Sequence, residues 1–421
     1  MNITIIGAGI AGLSSAIALT QRGFTVSIYE RRNSAANIGA GIVCWPNASF
    51  VLQELGVLEQ VAKHAGKIVS MQRFDHQGSP LGKLDIQILN QKMGNLSYSI
   101  TRYDIINILL KRALQLGVQI HFKQGVKTIK EQQNKASLLL ENDQEVNADI
   151  IIGADGRMNS KARLYVNNEN KPKFQHFINW IGIFRQPITK SPIDEQDALS
   201  ETFNKVKPFD ELSVCDYWGQ GERFGIVPIN SKQAYWAAGS YAQTIEKNTP
   251  EHFHEELLSR FSHWPGPIKQ IIEATPVNSI NKLYIHDHDP IDCWYKNNVL
   301  LIGDAAHAAL PTSGQGACQA LEDAWHLAQC LNIDLSTKQN KQNITDAFAL
   351  FQKKRQEKTQ IITQTGRHLA HTIFTPDKAH SQQRNESAKT TDYQKMANGM
   401  AQAWSQGLPL TSLEIHNSLH E

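Results

Sequence analysis

The chain opens on Asn2–Ile6, an almost unbroken apolar run. Its shortness and apolar character predict a buried parallel strand. Glycines follow, and then a helical stretch from about residue 11 to 22, closed by Gly23. Thr25–Glu30 reads as the next strand, so the chain begins β-α-β. Residues 105–116 repeat their apolar positions at helical spacing, with Gly117 as the C-cap and a short strand at 118–122. From about 175 to 290 the pattern changes to brief strand-like runs, such as 178–184, 224–228 and 234–240, separated by polar turns. That pattern predicts an antiparallel sheet inserted into a nucleotide-binding fold. A buried strand returns at 299–302, followed by a helix from about 315 to 331. Beyond about 376 the residues are mostly Gln, Asn, Ser and Lys, which predicts a partly loose tail with a last helix at 396–404. No internal repeat is visible.

Composition narrows the class. At 421 residues the chain is long for one domain and sufficient for two that share an interface. Hydrophobic residues make up 41% and charged residues 19%, an ordinary balance for a chain with a core. The net charge of +2 gives no reason to expect nucleic acid or a membrane as partner. The five cysteines, Cys44, Cys215, Cys293, Cys318 and Cys330, are scattered, with no CxxC pair. They read as free thiols in a reducing cytoplasm rather than as disulfides or a zinc site. Met1 leads straight into the first strand without a basic leader, and no stretch approaches the ~20 apolar residues of a membrane span.

Three separated motifs carry chemistry. In the first, Gly7-Ala-Gly9-Ile-Ala11-Gly12, Gly7 permits a tight turn. Gly9 lets a phosphate approach the backbone, and Gly12 lets helix pack on strand. The helix N-terminus then offers N–H groups and a positive dipole end to a pyrophosphate. Glu30 ends the second strand about twenty residues on, where an acid can bind a ribose hydroxyl. The second motif, Gly153-Ala-Asp155-Gly156-Arg157 running to Ser160 and Arg163, follows an apolar run. By itself it also suits an ordinary turn. The third, Gly303-Asp304-Ala-Ala-His307, continues through Pro311 to Gly314-Gln-Gly316 and Glu322-Asp323. An acid at a strand end followed by glycines and a helix start is a second anion-facing arrangement.

In this order the motifs resemble the single-component, aromatic-hydroxylase-like FAD monooxygenases, the group of the salicylate, hydroxybenzoate, hydroxynicotinate and urate hydroxylases. The likeness spans roughly residues 1–370. It implies an α/β fold: a Rossmann-like FAD-binding domain with an inserted antiparallel β-sheet substrate domain and C-terminal helices. The corresponding division is 1–174 for FAD, with some substrate-domain strands between about 68 and 100, then 175–290 for substrate. Residues 291–375 complete the FAD domain and 376–421 form a helical tail. The resemblance implies FAD, NADH or NADPH as cosubstrate, O2, and a flavin C4a-hydroperoxide as oxidant. Carried over position by position, it makes Glu30 the adenosine-ribose ligand, Arg102 a phosphate-facing arginine and Asp304 the ribityl ligand. Asp155 would lie near both FAD and the nicotinamide path. Gly39-Ala-Gly41-Ile42, running into Trp45-Pro46-Asn47, matches the flavin-edge loop, and Gly314 to Cys318 would lie along the isoalloxazine. The full expected cofactor set is Gly7, Gly9, Ala11, Gly12, Glu30, Arg31, Gly41, Ile42, Arg102, Val126, Asp155, Asp304, Pro311, Gly314, Gly316, Ala317 and Cys318. Where many members have Asn, this chain has Cys318, inside a Gln-Gly-Ala-Cys-Gln-Ala-Leu-Glu-Asp-Ala run like that of the hydroxybenzoate and salicylate branch. A small packed side chain is the simpler reading of that thiol.

For the substrate pocket, Arg223 and Tyr235 stand out, with Asn179-Trp180 upstream, in an arrangement similar to the urate-hydroxylase-like members. The arginine suits a carboxylate or enolate-like anion and the tyrosine a ring oxygen. Arginine on a sheet rim is as readily a salt-bridged surface side chain. His286-Asp-His288-Asp289 invites a metal reading, since alternate strand residues share a face, but a third ligand is missing. His307 reads as a structural residue beside the cofactor and His326 as a helix-surface or packing residue. Epoxidation, inactivation of a polyketide-like drug, oxygen-wasting reductase activity or a non-catalytic flavin scaffold are the competing readings. The sequence reads as a monomer or homodimer acting on a small molecule.

Overall fold

The computed structural model describes residues 1–34, 40–132, 135–185, 212–247, 249–331 and 340–412; Gly39 of the expected flavin-edge loop lies outside them. Its first layer is a six-stranded sheet in the order Tyr295–Lys296, Val299–Leu301, Ile150–Gly153, Asn2–Ile6, Thr25–Glu30, Gln119–Phe122. All neighbours are parallel except the first pair. Ile3, Ile5, Ile150, Ile151 and Val299 are buried, as expected of strands covered on both faces. The Ile10–Gln21 and Gly316–Cys330 helices pack against each other on this sheet.

The register explains why three motifs far apart in sequence converge. Ile6 pairs with Gly153, and Gly153 pairs with Leu301. The carboxyl ends of three parallel strands therefore lie on one edge, where such folds bind ligands. Gly7, Ala154-Asp155 and Gly303-Asp304 all leave the sheet there.

The second large sheet has seven strands: Asn281–Asp287, Lys173–Arg185, Gln233–Tyr241, Glu222–Asn230, Ser213–Trp218, Ser70–Asp75 and Pro80–Asp85. We call it the platform. The inserted sheet is antiparallel as expected except at one pair, where Ser213–Trp218 runs parallel to Ser70–Asp75. That pairing joins strands too remote in sequence for local pattern to reveal. Successive side chains alternate between two faces. One face, with Trp180, Phe224, Trp236 and Ala238, packs on the Phe253–Phe261 and Ile268–Ala274 helices. The other, with Asn179, Ile181, Arg223, Gly225, Tyr235 and Ala237, turns to the nucleotide half.

The tail is helical, with the last helix at Tyr393–Ser405 where 396–404 was expected, but more ordered than its partly loose reading. Residues 340–374 form one long helix, and Lys378–Lys389 and Tyr393–Ser405 form two more. The Asp377 carboxylate accepts from the His380 N–H and the Asp392 carboxylate from the Lys395 N–H, so both short helices carry side-chain N-caps. Ala397, Ala401 and Trp404 are buried, which anchors a segment whose average composition is polar. Among the described residues no helix is long and apolar enough to cross a membrane.

Candidate functional site

The glycine turn is built by contact. Gly7 sits at φ +102, and a Cβ there would fall 2.6 Å from the Ala154 carbonyl oxygen. A Cβ at Gly12 would fall 1.9 Å from the Gly7 oxygen, so turn and helix touch through backbone. Around Gly9, the N-cap of the Ile10–Gln21 helix, no protein atom lies within 4 Å of a Cβ position. The open space beside a free helix N-terminus is what a pyrophosphate requires. Glu30 closes one side, its Oε2 accepting from the Ala8 N–H (2.8 Å) and its Oε1 from the Arg32 N–H (2.9 Å). Arg31 is exposed beside it. The Gln124 N–H donates to the Glu30 carbonyl at 2.9 Å, bringing the segment that leads to buried Val126 alongside.

Arg102 begins the Arg102–Gln115 helix, where the Thr101 hydroxyl accepts from the Asp104 N–H. That cap starts the helix three residues ahead of its apolar period. Burial lowers the Arg102 pKa most; Asp304 opposes the shift, while Arg157 and Arg32 add to it. Burial works to raise the Asp304 pKa, but the adjacent Arg157, His307 and Arg102 hold it below the usual carboxylate range. Arg157 donates through Nε (3.2 Å) and Nη2 (2.9 Å), both to Asp304 Oδ2. Asp304 Oδ1 takes no hydrogen bond from the described residues and is free to accept from a hydroxyl. Arg157 and Arg102 around Asp304, with Arg32 close to Arg102, leave positive charge near the glycine turn. The residues present therefore fit a dinucleotide: open space at Gly9, an acid at each end and cations between.

Asp155 lies beside the glycine turn with its carboxylate already engaged. Its backbone lies against Gly7. Its carboxylate accepts from Ser160 Oγ (2.6 Å), the Lys161 N–H (2.6 Å) and the Ala162 N–H (3.2 Å). It thus supplements the Ser160 N-cap of the Lys161–Asn167 helix by accepting from that helix's first two N–H groups. Arg163, buried on that helix, donates to the carbonyls of Ala305, Ala306 and Asp289 and ties the second motif to the third.

The third motif runs through a turn at Pro311–Ser313 and Gly314 (φ +63) into the Gly316–Cys330 helix. Trp45 Nε1 donates to the Gly314 carbonyl at 3.0 Å, joining this turn to the Gly41–Cys44 strand, whose Ile42 pairs with Ile100. Space beside Gly316 is open. Ala317 is partly buried. Cys318 is buried, its thiol donates to the Val43 carbonyl, and burial pushes its pKa up to about 12. A protonated thiol at that position supports the packing reading over redox chemistry.

Tyr235 and Arg223 share the platform face but occupy separate ends of it. Tyr235 pairs with Val227 and Arg223 with Gly239. The Tyr235 ring covers Gly41 so closely that a Cβ there would lie 2.1 Å from Tyr235 Cδ1. Burial drives the Tyr235 phenol well above its usual pKa, so it is neutral at physiological pH. Arg223 Nε donates to Asp216 Oδ1 at 2.5 Å, and Trp218 Nε1 donates to Asp216 Oδ2 at 2.9 Å. The arginine is thus salt-bridged, as the plainer reading expected, yet among the described residues it is bound through Nε alone, and it is partly exposed. Gly225 and Ala237 leave a shallow floor between the two ends.

The histidine run does not form a strand-face pair, because the strand stops at Asp287. His286 Nδ1 bonds the Tyr284 carbonyl oxygen, and His288 Nε2 bonds that of Arg157. His307 Nε2 lies 2.6 Å from Asp323 Oδ2, which also accepts from the Gly303 N–H. Sequence reading missed Arg157, although it stands inside the quoted motif. It also missed Arg355 and Lys358, whose buried partners are Glu322 and Asp323. Two cations three apart on an otherwise polar helix look like surface residues until that helix is packed.

A dinucleotide cradle on one sheet edge, faced by a β platform with a neutral tyrosine and a salt-bridged arginine, defines a two-part nucleotide-dependent oxidoreductase. The chain belongs to the FAD binding domain family, whose model matches residues 1–393. It is 31% identical over 339 residues to the aurachin C monooxygenase/isomerase of Stigmatella aurantiaca, covering 79% of this chain and 81% of that protein. It is 27% identical to the FAD-dependent urate hydroxylase of Mycolicibacterium vanbaalenii, covering 85% of each. Identity is also 27% to the 6-hydroxynicotinate 3-monooxygenase of Pseudomonas fluorescens, covering 85% of this chain and 88% of that one. The crystal structure of Klebsiella pneumoniae HpxO complexed with FAD and uric acid shares the fold, with TM-score 0.83, 23% identity and 97% coverage of both chains. The chain is an FAD-dependent monooxygenase that consumes NAD(P)H and O2.

Proposed function

We propose that this monooxygenase hydroxylates a small aromatic or heteroaromatic substrate held between the platform face and the flavin. The observation that carries the reading is the contact of Tyr235 with Gly41, which sets the platform directly on the segment expected at the flavin edge. The urate and hydroxynicotinate hydroxylases among the relatives support an electron-rich ring as substrate. In this reading residues 1–174 and 291–375 hold FAD, and residues 175–290 with the strands at 70–85 hold substrate. Glu30 and Asp304 accept from the two sugar-like ends of the cofactor, and Arg102 faces its phosphates. Bound FAD supplies the activation of O2, with electrons from NADH or NADPH.

The chain's residues do the rest. Arg223, held through Nε, offers its outer N–H groups to an anionic ring substituent. Tyr235, kept neutral, donates or accepts one hydrogen bond at the ring. The packed Tyr235–Gly41 contact and the buried Cys318 exclude water from the flavin side, where leakage wastes reducing equivalents. The protein acts as a monomer or homodimer in a reducing compartment that keeps its thiols free.

The test is a panel of hydroxylated benzoates, hydroxypyridines and purines. NAD(P)H oxidation, peroxide release and product mass are followed together. A true substrate accelerates NAD(P)H oxidation and yields a product heavier by one oxygen. Protein that contains no FAD and cannot be reconstituted with it would sink the reading. FAD-loaded protein that only releases peroxide with every compound would count against the aromatic substrate.

A further inference from the structure

The buried charges under the Gly316–Cys330 helix are not used in the reading above. Lys358 is 5% exposed and its ammonium is fully engaged. It donates to Glu322 Oε1 (3.0 Å) and Oε2 (2.9 Å), and to the carbonyls of Trp404 (2.7 Å) and Gln406 (2.9 Å). Glu322 also accepts from Asn47 Nδ2 at 2.7 Å, and Asn47 is 0% exposed. One chain of bonds thus runs from the last helix, through Lys358 and Glu322, to the start of the Pro46–Glu54 helix. A second route is apolar. Trp404 packs on Trp45 with ring centroids 5.3 Å apart, and Trp45 bonds the Gly314 carbonyl.

The first route ends at Asn47, two residues after Trp45; Asn47 Nδ2 also bonds Gln315 Oε1 at 3.0 Å, next to Gly314. The second ends on Trp45 and the Gly314 turn, and both thus flank the proposed flavin edge. Burying an ammonium is costly unless it is fully bonded, and apolar side chains often fill the same volume at least as stably. Buried ion networks are best understood where they fix register. Here two of the four Lys358 bonds go to main-chain carbonyls at the end of the last helix, and two to Glu322.

We propose that the Tyr393–Ser405 helix is a latch on the flavin edge, with Lys358 and Trp404 as positioning residues that act through Asn47 and Trp45. Neither touches the glycine turn, Glu30 or Asp304. Release of the latch lets Trp45 and the Gly314 turn move, and FAD is then held less tightly at unchanged contacts elsewhere. This inference rests on FAD lying along Gly41 and Gly314.

The experiment compares wild type with Trp404→Ala, Lys358→Met and Lys358→Arg. FAD affinity is titrated by flavin fluorescence, the visible flavin spectrum is recorded, and melting is measured with and without FAD. The expected result is an FAD dissociation constant raised about tenfold or more in Trp404→Ala and Lys358→Met. Their flavin bands lose vibronic structure, and Lys358→Arg recovers part of both. Trp404→Ala leaves every charge paired, so it carries the test if Lys358→Met does not fold. An unchanged FAD affinity, with melting lowered equally in apo- and holoprotein, would overturn the latch and leave only a structural role. A wild type that binds no FAD would instead refute the site reading itself.

Discussion

Gly9 and Gly12 stand in one motif and answer to different constraints. Gly12 has no room, since its Cβ would meet the Gly7 oxygen at 1.9 Å. Gly9 has room, with no protein atom within 4 Å, and its φ of −81 suits any residue. Gly12→Ala should therefore destabilise the apoprotein by roughly 1–3 kcal/mol, the usual cost of overpacking. Gly9→Ala should leave apoprotein melting unchanged while weakening FAD about tenfold. Melting curves of both apoproteins beside FAD titrations separate the two; a Gly9→Ala protein with normal FAD affinity would displace the pyrophosphate from this turn. At Arg223 the structure refines the sequence reading, because Asp216 holds the guanidinium through Nε. Arg223→Gln should raise KM for an anionic substrate about tenfold or more and affect a neutral analogue little. Equal kinetics with both substrates would remove Arg223 from substrate binding.

At the scale of elements, strands and helices with strong periodicity were legible, and caps set their ends. The β-α-β opening follows from apolar runs and glycines alone. The Arg102–Gln115 helix starts earlier than its apolar period because Thr101 and Asp104 cap it. Asp155 shows how a motif residue can serve an element: three bonds from Ser160, Lys161 and Ala162 engage its carboxylate. Asp155→Ala should cost about 1 kcal/mol, typical of a lost N-terminal cap. Asp155→Ser should recover part of it. Urea unfolding of the two variants checks this, and equal losses would show that the carboxylate does something other than capping. The last helix was legible, but the Lys378–Lys389 helix was hidden by its polar composition, although Asp377 marks its start.

Across the whole molecule, the third motif's helix is buried on most of its surface, and this has a pH consequence. His326 is 2% exposed, and among the described residues neither ring nitrogen has a hydrogen-bond partner. Burial lowers its pKa from 6.5 to about 3, with Arg355 and Lys358 adding to the shift. The unfolded chain then binds a proton that the folded chain refuses. Stability from this source is complete above pH 6.5 and falls as pH drops toward 3. Denaturant midpoints should decline between pH 7 and pH 5, and His326→Leu should flatten that decline. The same slope in His326→Leu would assign the acid sensitivity to other groups, such as His288, whose pKa burial also lowers.

The sequence by itself determined the glycine turn, the strand before each of the three motifs, and the acids Glu30 and Asp304 at strand ends. Those features depend on neighbours in the chain, where apolar period and glycine placement act directly. Tertiary structure decided the partners. Parallel register brought Gly7, Asp155 and Asp304 to one edge, and gave Asp304 to Arg157. Strand alternation chose the face shared by Arg223 and Tyr235. Packing of the 340–374 helix turned Arg355 and Lys358 inward to Glu322 and Asp323, and the tail inward to Trp45. The physical reason is common to all three. A charge's partner is set by proximity in space, and neither composition nor period encodes which remote carboxylate will lie within 3 Å of it.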